Sequence, residues 1–260
     1  MLRLLLIIFV LFSTPLLYSQ DSEDEDTEQP DSLFSQEVVT DQQFEVIFNK
    51  GFLVTGTGEG LDSFKLSSAA SGTYYIGLSY NLLFFKKDSL NKKTNFAHRF
   101  SFRFQPGISF FKLVYNSDTQ PFPTIPDPST SKIGLESQKQ RLTYLELPIG
   151  MGFVIGRDDK QHVTSFVELG TSISFRIDAT HKLYFKRDGN EIITKFDNAD
   201  NINRWRFGLY AKYCYRWFGL FAYYRLNDLY KPNNYYLNHN QQLTPFPTIP
   251  PLEVGLCVQL

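Results

Sequence analysis

The chain has 260 residues, with 26 Lys and Arg against 27 Asp and Glu, a near-neutral balance that excludes a nucleic-acid module held by bulk positive charge. Past its N-terminus no apolar run approaches the ~20 residues of a spanning helix, which excludes a helical membrane protein. Yet aromatics reach 16%, with 25 Phe and 15 Tyr, so an exported all-β domain must find an unusual home for its rings.

Residues 1–20, MLRLLLIIFVLFSTPLLYSQ, read as a cleaved secretory signal peptide: Arg3, an apolar core from Leu4 to Phe12, then Pro15 and the small Ser19. That core is too short to anchor the chain, and no cysteine near the cut supports a lipoprotein. Residues 21–40 form an acidic tail, expected to be disordered, whose DSEDEDTEQPDS segment holds Asp21, Glu23, Asp24, Glu25, Asp26, Glu28 and Asp31. The folded domain is expected over 41–260 and is mildly basic.

From there, alternation with period two recurs. FEVIFNKGFLV places Phe44, Val46, Phe48, Phe52 and Val54 on one face, with Lys50 as the exception. GTYYIGLSYNLLFF sets Tyr74, Ile76, Leu78 and Tyr80 against Gly77, Ser79 and Asn81. In HRFSFRFQPGISFF, Phe100, Phe102, Phe104, Ile108 and Phe110 oppose Arg99, Ser101, Arg103, Gln105 and Ser109. RLTYLELPIGMGFVIG cannot be a helix, because Pro148 and Gly150 would break it; as a strand it puts Leu145, Leu147, Ile149, Met151 and Phe153 opposite Glu146 and the glycines. HVTSFVELGTSISFRI, RWRFGLYAKYCYRW, FGLFAYYRL and PLEVGLCVQL continue the pattern, and a two-residue turn at Arg216 and Trp217 pairs Tyr215 with Phe218.

These segments predict an all-β fold, an eight-stranded antiparallel up-and-down transmembrane β-barrel. Connections alternate long and short, the long ones at about 56–71, 117–138, 179–202 and 228–249, as when short turns lie in the periplasm and long loops outside. PFPTIP occurs at 121–126 and 245–250; its prolines exclude regular strand and predict stiff rims. Asp188-Gly189 predicts a hairpin inside the third long loop, and the glycine-rich GTGEG at 56–60 reads as a loop tip.

The oily face carries large aromatics on nearly every strand, which water would not tolerate, so it should meet lipid. The other face gathers glycines and charges: Glu45, Glu146, Glu168 and Glu253 opposite Arg99, Arg103, Arg176, Arg204, Arg206, Lys212 and Arg225. Buried charges must be paired, so this set predicts a structural lumen network; a proton or ion path is the alternative. Cys214 and Cys257, on non-adjacent strands, are expected to lie too far apart to bridge. His98, His162, His181 and His239 are dispersed without metal-ligand spacing, and no cofactor is expected. His98 with Ser101 or Ser109 could be imagined as a catalytic pair, but parity puts them on opposite faces, so no enzyme is expected.

Three segments, LTYLELPIGMGF, FVELGTSISFRI and YYRLNDL, resemble the PorT-like outer-membrane β-barrel family over roughly residues 40 to 260. Arg225 stands near a glycine of that family's pattern, and Leu260 replaces the aromatic common at the end of such barrels. The resemblance implies an outer-membrane protein of Bacteroidota-type bacteria; PorT itself serves a protein-secretion system. The expected function is a non-enzymatic barrel, either an accessory subunit of an envelope complex or a surface binder with long outer loops. Its expected partners are outer-membrane lipid and other envelope proteins. The rivals are an outer-membrane enzyme, a small transport pore and a soluble lipocalin-like carrier.

Overall fold

The computed structural model describes residues 38–54, 66–67, 69–86, 100–115, 135–157, 163–187, 190–197, 200–231, 235–237, 243–246 and 248–260. The expected signal peptide, most of the acidic tail, GTGEG, the first PFPTIP, His98 and Arg99 lie outside them. The elements are β1 (Val38–Leu53), β2 (Gly72–Lys86), β3 (Phe100–Phe104), β4 (Gly107–Tyr115), β5 (Leu135–Arg157) and β6 (Val163–Arg187). There follow β7 (Asn190–Asp197), β8 (Trp205–Tyr215), β9 (Phe218–Arg225), β10 (Tyr235–Leu237), β11 (Leu243–Pro245) and β12 (Leu252–Gln259).

Antiparallel pairing runs from β1 to β2, from β2 to β3 and β4, from these to β5, then through β6, β8 and β9 to β12. Strand β12 then returns to β1, and Val46 and Leu260 exchange backbone hydrogen bonds of 2.8 and 2.9 Å at the seam. Counting β3 with β4 as one, the ring has eight staves. The third stave breaks at Gln105 and Pro106, because proline has no N–H to give; the Pro106 carbonyl still accepts from Leu78 N at 3.0 Å. The first strand begins at Val38, slightly ahead of the expected start at 41.

Burial follows the alternation. Along β8 every second residue, from Arg206 to Cys214, is buried, while Trp205, Phe207, Leu209, Tyr213 and Tyr215 are exposed on the outer wall. The turn at Arg216 and Trp217 pairs Tyr215 with Phe218, and Arg216 takes φ 54°.

Strand β6 is longer than the alternation predicts, with 25 residues. A bulge opposite Thr143 and Tyr144 leaves Ile177 unmatched, so the inward set changes from even (Ser172, Ser174, Arg176) to odd (Ala179, His181, Leu183). Beyond it β6 turns into β7, and Arg187 pairs with Asn190 across the Asp188-Gly189 dipeptide, as that dipeptide predicts. The second PFPTIP departs from its expectation at one residue: Pro245 ends β11 and pairs with Tyr235, which the edge of a two-stranded ladder tolerates.

Candidate functional site: a charged lumen beneath an apolar plug

The charged side chains of the inner face form two tiers. In the tier nearer the short turns, Glu168 is fully buried and accepts from Gln105 Nε2 and Tyr210 OH, both at 2.6 Å. Arg103 lies 3.6 Å and Lys212 3.7 Å from the same carboxylate. Arg103 also lies 3.9 Å from Glu45, which accepts from Asn81 at 2.6 Å and from Gln259. The Arg103 guanidinium rests 3.6 Å from the centre of the Phe166 ring, so the cation is enclosed by a face of π density as well as by carboxylates.

In the second tier Arg206 Nη2 meets Glu146 Oε2 at 2.6 Å and donates to Ser109 at 3.1 Å. Glu146 accepts from Ser172 at 2.8 Å on its other oxygen. Between the tiers lies a cavity of about 40 Å³ whose wall includes Asn49, Thr73, Tyr75, Tyr223 and Glu253. Its size admits roughly one to three water molecules.

Not every expected lumen residue joins these tiers. Arg176 and Arg225 point inward but donate to loop carbonyls: Arg176 to Ile202 O at 2.8 Å, and Arg225 to Ile249 O at 2.6 Å and Pro250 O at 3.3 Å. Arg204 is a correction. It is exposed and precedes β8, so the strand's alternation does not govern its side chain. Arg99 lies outside the described residues.

The small residues admit more than Arg and Glu. A Cβ on Gly170 would come within 2.6 Å of the Tyr210 ring, one on Gly107 within 2.7 Å of the Tyr75 hydroxyl, and the nearest atoms to one on Gly208 all belong to Tyr223. Tyr75, Tyr210 and Tyr223 therefore fold flat over glycines and fill a lumen only just wide enough for side chains. Tyr210 carries a direct bond to Glu168, and its inward parity on β8 is the signal by which the sequence could have disclosed it.

Cys214 and Cys257 are unbridged, as expected. Their strands are non-adjacent, as foreseen, yet both side chains lean over Gly219 and their sulfurs lie 3.4 Å apart, unbridged. The bare Gly219 between them is what lets the two thiols meet across the intervening strand.

Toward the long loops the interior becomes more apolar, although Gln140, which accepts from Tyr230 OH at 2.9 Å, and His181 are buried at the same level. Leu53, Phe111, Leu113, Tyr115, Leu142 and Tyr144 from the staves pack with Ile202, Leu229, Tyr230 and Ile249 from the connections. Phe246 stacks on Tyr230 at 4.8 Å. The second PFPTIP thus supplies two members of a plug, Phe246 and Ile249, and its carbonyls hold Arg225.

The family model of the outer membrane protein beta-barrel domain matches residues 34–229, most of this ring. The chain belongs to that family. No curated protein and no solved structure matches it.

In an outer-membrane barrel short turns face the periplasm and long loops the exterior, which puts the plug on the outer side. Strand β8, with 11 residues, is long enough to cross a tilted, ~25 Å apolar band. It begins at Trp205, which packs edge-on against Phe175 at 5.0 Å, and ends at a turn bearing Trp217 against Phe218 at 6.3 Å. Those ring pairs stand where interfacial aromatic girdles belong. Charges inside and phenylalanines outside are the inverse of a soluble carrier's arrangement. Ser101 and Ser109 are both buried in the lumen, and Ser109 is engaged by Arg206.

Proposed function

We propose that this outer-membrane barrel is a non-enzymatic, PorT-like accessory subunit of an envelope assembly, exported by its N-terminal signal peptide, with the partner held by its outer loops. The observation that carries the reading is the apolar plug: Ile202, Leu229, Tyr230 and Ile249 fill the outer mouth above the ion pairs. A lumen filled in this way favours a scaffold over a conduit, because a permeating ion would meet an unsolvated layer.

The segments that carry the PorT-like resemblance support a scaffold role by what they touch. Glu146 of LTYLELPIGMGF and Ser172 of FVELGTSISFRI hydrogen bond to each other. In YYRLNDL, Asn227 accepts from Phe207 N and donates to Trp205 O, both at 2.9 Å, while Leu229 enters the plug. Such contacts hold loops to a rim.

Photo-cross-linking from the 228–249 connection in intact cells, followed by mild-detergent purification, tests the proposal. A discrete set of envelope proteins, lost when that connection is shortened, is the expected result. Stepwise ion currents from the purified barrel in a planar bilayer, or turnover by an active-site probe, would overturn it.

A further inference from the structure

Just past the outer aromatic ring, the lipid-facing wall turns basic. On β4 and β5, Lys112 pairs directly with Arg141; beside them, Lys139 on β5 pairs with Lys182 on β6, and Lys182 with Lys195 on β7. Like charges directly opposite one another weaken a sheet, so Lys112 against Arg141 and Lys139 against Lys182, in neighbouring rows, call for an external counter-charge. Among the described residues acidic positions on this face are fewer: Asp178, which accepts from Thr180 at 3.3 Å, and the register positions of Asp197 and Glu191. Lys50 extends the patch onto β1, with its ammonium 3.6 Å above the Tyr74 ring. Lys139 lies over Tyr184 at 4.1 Å.

The height of the patch identifies its occupant. Phe110 and Phe175 are exposed on the same wall, and Lys112 stands two residues beyond Phe110 on the same face of β4. The step along the strand is ~7 Å, which moves a side chain from the hydrocarbon boundary to headgroup level. Because this wall is continuous with the apolar band, the anion that meets it is carried by a molecule already lying against that band. We propose that the outer faces of β4, β5, β6 and β7 bind the phosphate groups of anionic outer-leaflet lipids, and that Lys112, Arg141, Lys139 and Lys182 select those lipids over zwitterionic ones. The inference rests on the outer-membrane reading and adds a ligand class to it.

The test uses the full chain folded into nanodiscs of phosphatidylcholine with a minor share of phosphatidylglycerol, with lipid association read from spin-labelled lipids of each kind. The wild type should prefer phosphatidylglycerol several-fold, and 1 M salt should reduce that preference. The variants K112Q/R141Q and K139Q/K182Q should each lower it, while R216Q, at the opposite end of the barrel, should leave it unchanged. Both double variants remove like-charge pairs, so the barrel should fold, as checked by heat-modifiable migration. A folded wild type without preference, double variants that keep it, or an equal loss in R216Q would overturn the lipid site alone. A wild type that stays compact and monomeric without lipid or detergent and does not enter the nanodiscs would overturn the membrane reading and the lipid site with it.

Discussion

Glu146 on β5 and Arg206 on β8 meet at 2.6 Å although β6 lies between their strands. The bond is possible because β6 presents only serines beneath it: Ser172 donates to Glu146 and Ser174 accepts from Arg206 at 3.4 Å. Removing one partner strands a buried charge. E146Q or R206M alone should therefore lower barrel stability by about 3 to 5 kcal/mol, whereas E146L/R206M should recover most of that loss. Reversible urea unfolding in detergent micelles, followed by tryptophan fluorescence, measures both. A loss in the double variant as large as the two single losses added together would show that the pair is not coupled.

Gly208 offers a cleaner steric test than the other lumen glycines, since its three nearest neighbours all belong to the Tyr223 side chain. G208A should cost about 1 to 3 kcal/mol through overpacking. Y223V should relieve the clash, making G208A/Y223V more stable than G208A. Unfolding midpoints of the three variants decide it.

On the outer wall Leu169 is exposed, between Met151 and Ala211 in the pairing register, near the middle of the apolar band. A cation there has no route to water, so L169R should cost about 2 to 4 kcal/mol in a bilayer. The same change at Trp217, beside the periplasmic turn, should cost less, ~1 kcal/mol or below. Equal costs at both sites would contradict the placement of the band.

Cys214 and Cys257 are buried, unbridged and over the same glycine. The folded barrel should take up no maleimide, and two equivalents should react after unfolding without any reductant. G219A should destabilise the fold, because the added methyl would lie 2.7 and 2.8 Å from the two sulfurs. Mass spectrometry of the alkylated chain reads the first outcome and an unfolding curve the second.

Ile249 anchors the second PFPTIP in the plug and is nearly fully buried. I249A should cost about 2 to 4 kcal/mol where the plug cannot collapse. Limited proteolysis should cut the 228–249 connection sooner in this variant, while the membrane-embedded fragments keep their wild-type pattern. Unchanged cleavage would mean that the connection is held elsewhere.

Period-two alternation determined which side chains face inward, because successive Cβ atoms leave a strand on opposite sides whatever the strand packs against. From it came the staves, the hairpin turn at Arg216 and Trp217, and the inward set from Arg103 to Glu253. Alternation has no authority past a strand's end, which is why Arg204 is exposed, and a bulge resets it, as at Ile177. Which inward groups touch was decided only by closure of the ring, since curvature brings alternate strands together over glycine or serine: Cys214 with Cys257, Glu146 with Arg206. The plug was beyond sequence reading, because Ile202, Leu229, Tyr230 and Ile249 lie in connections without a period, and non-local packing alone assembles them. The basic patch needed pairing register, which alone decides that lysine falls opposite arginine or lysine on successive strands.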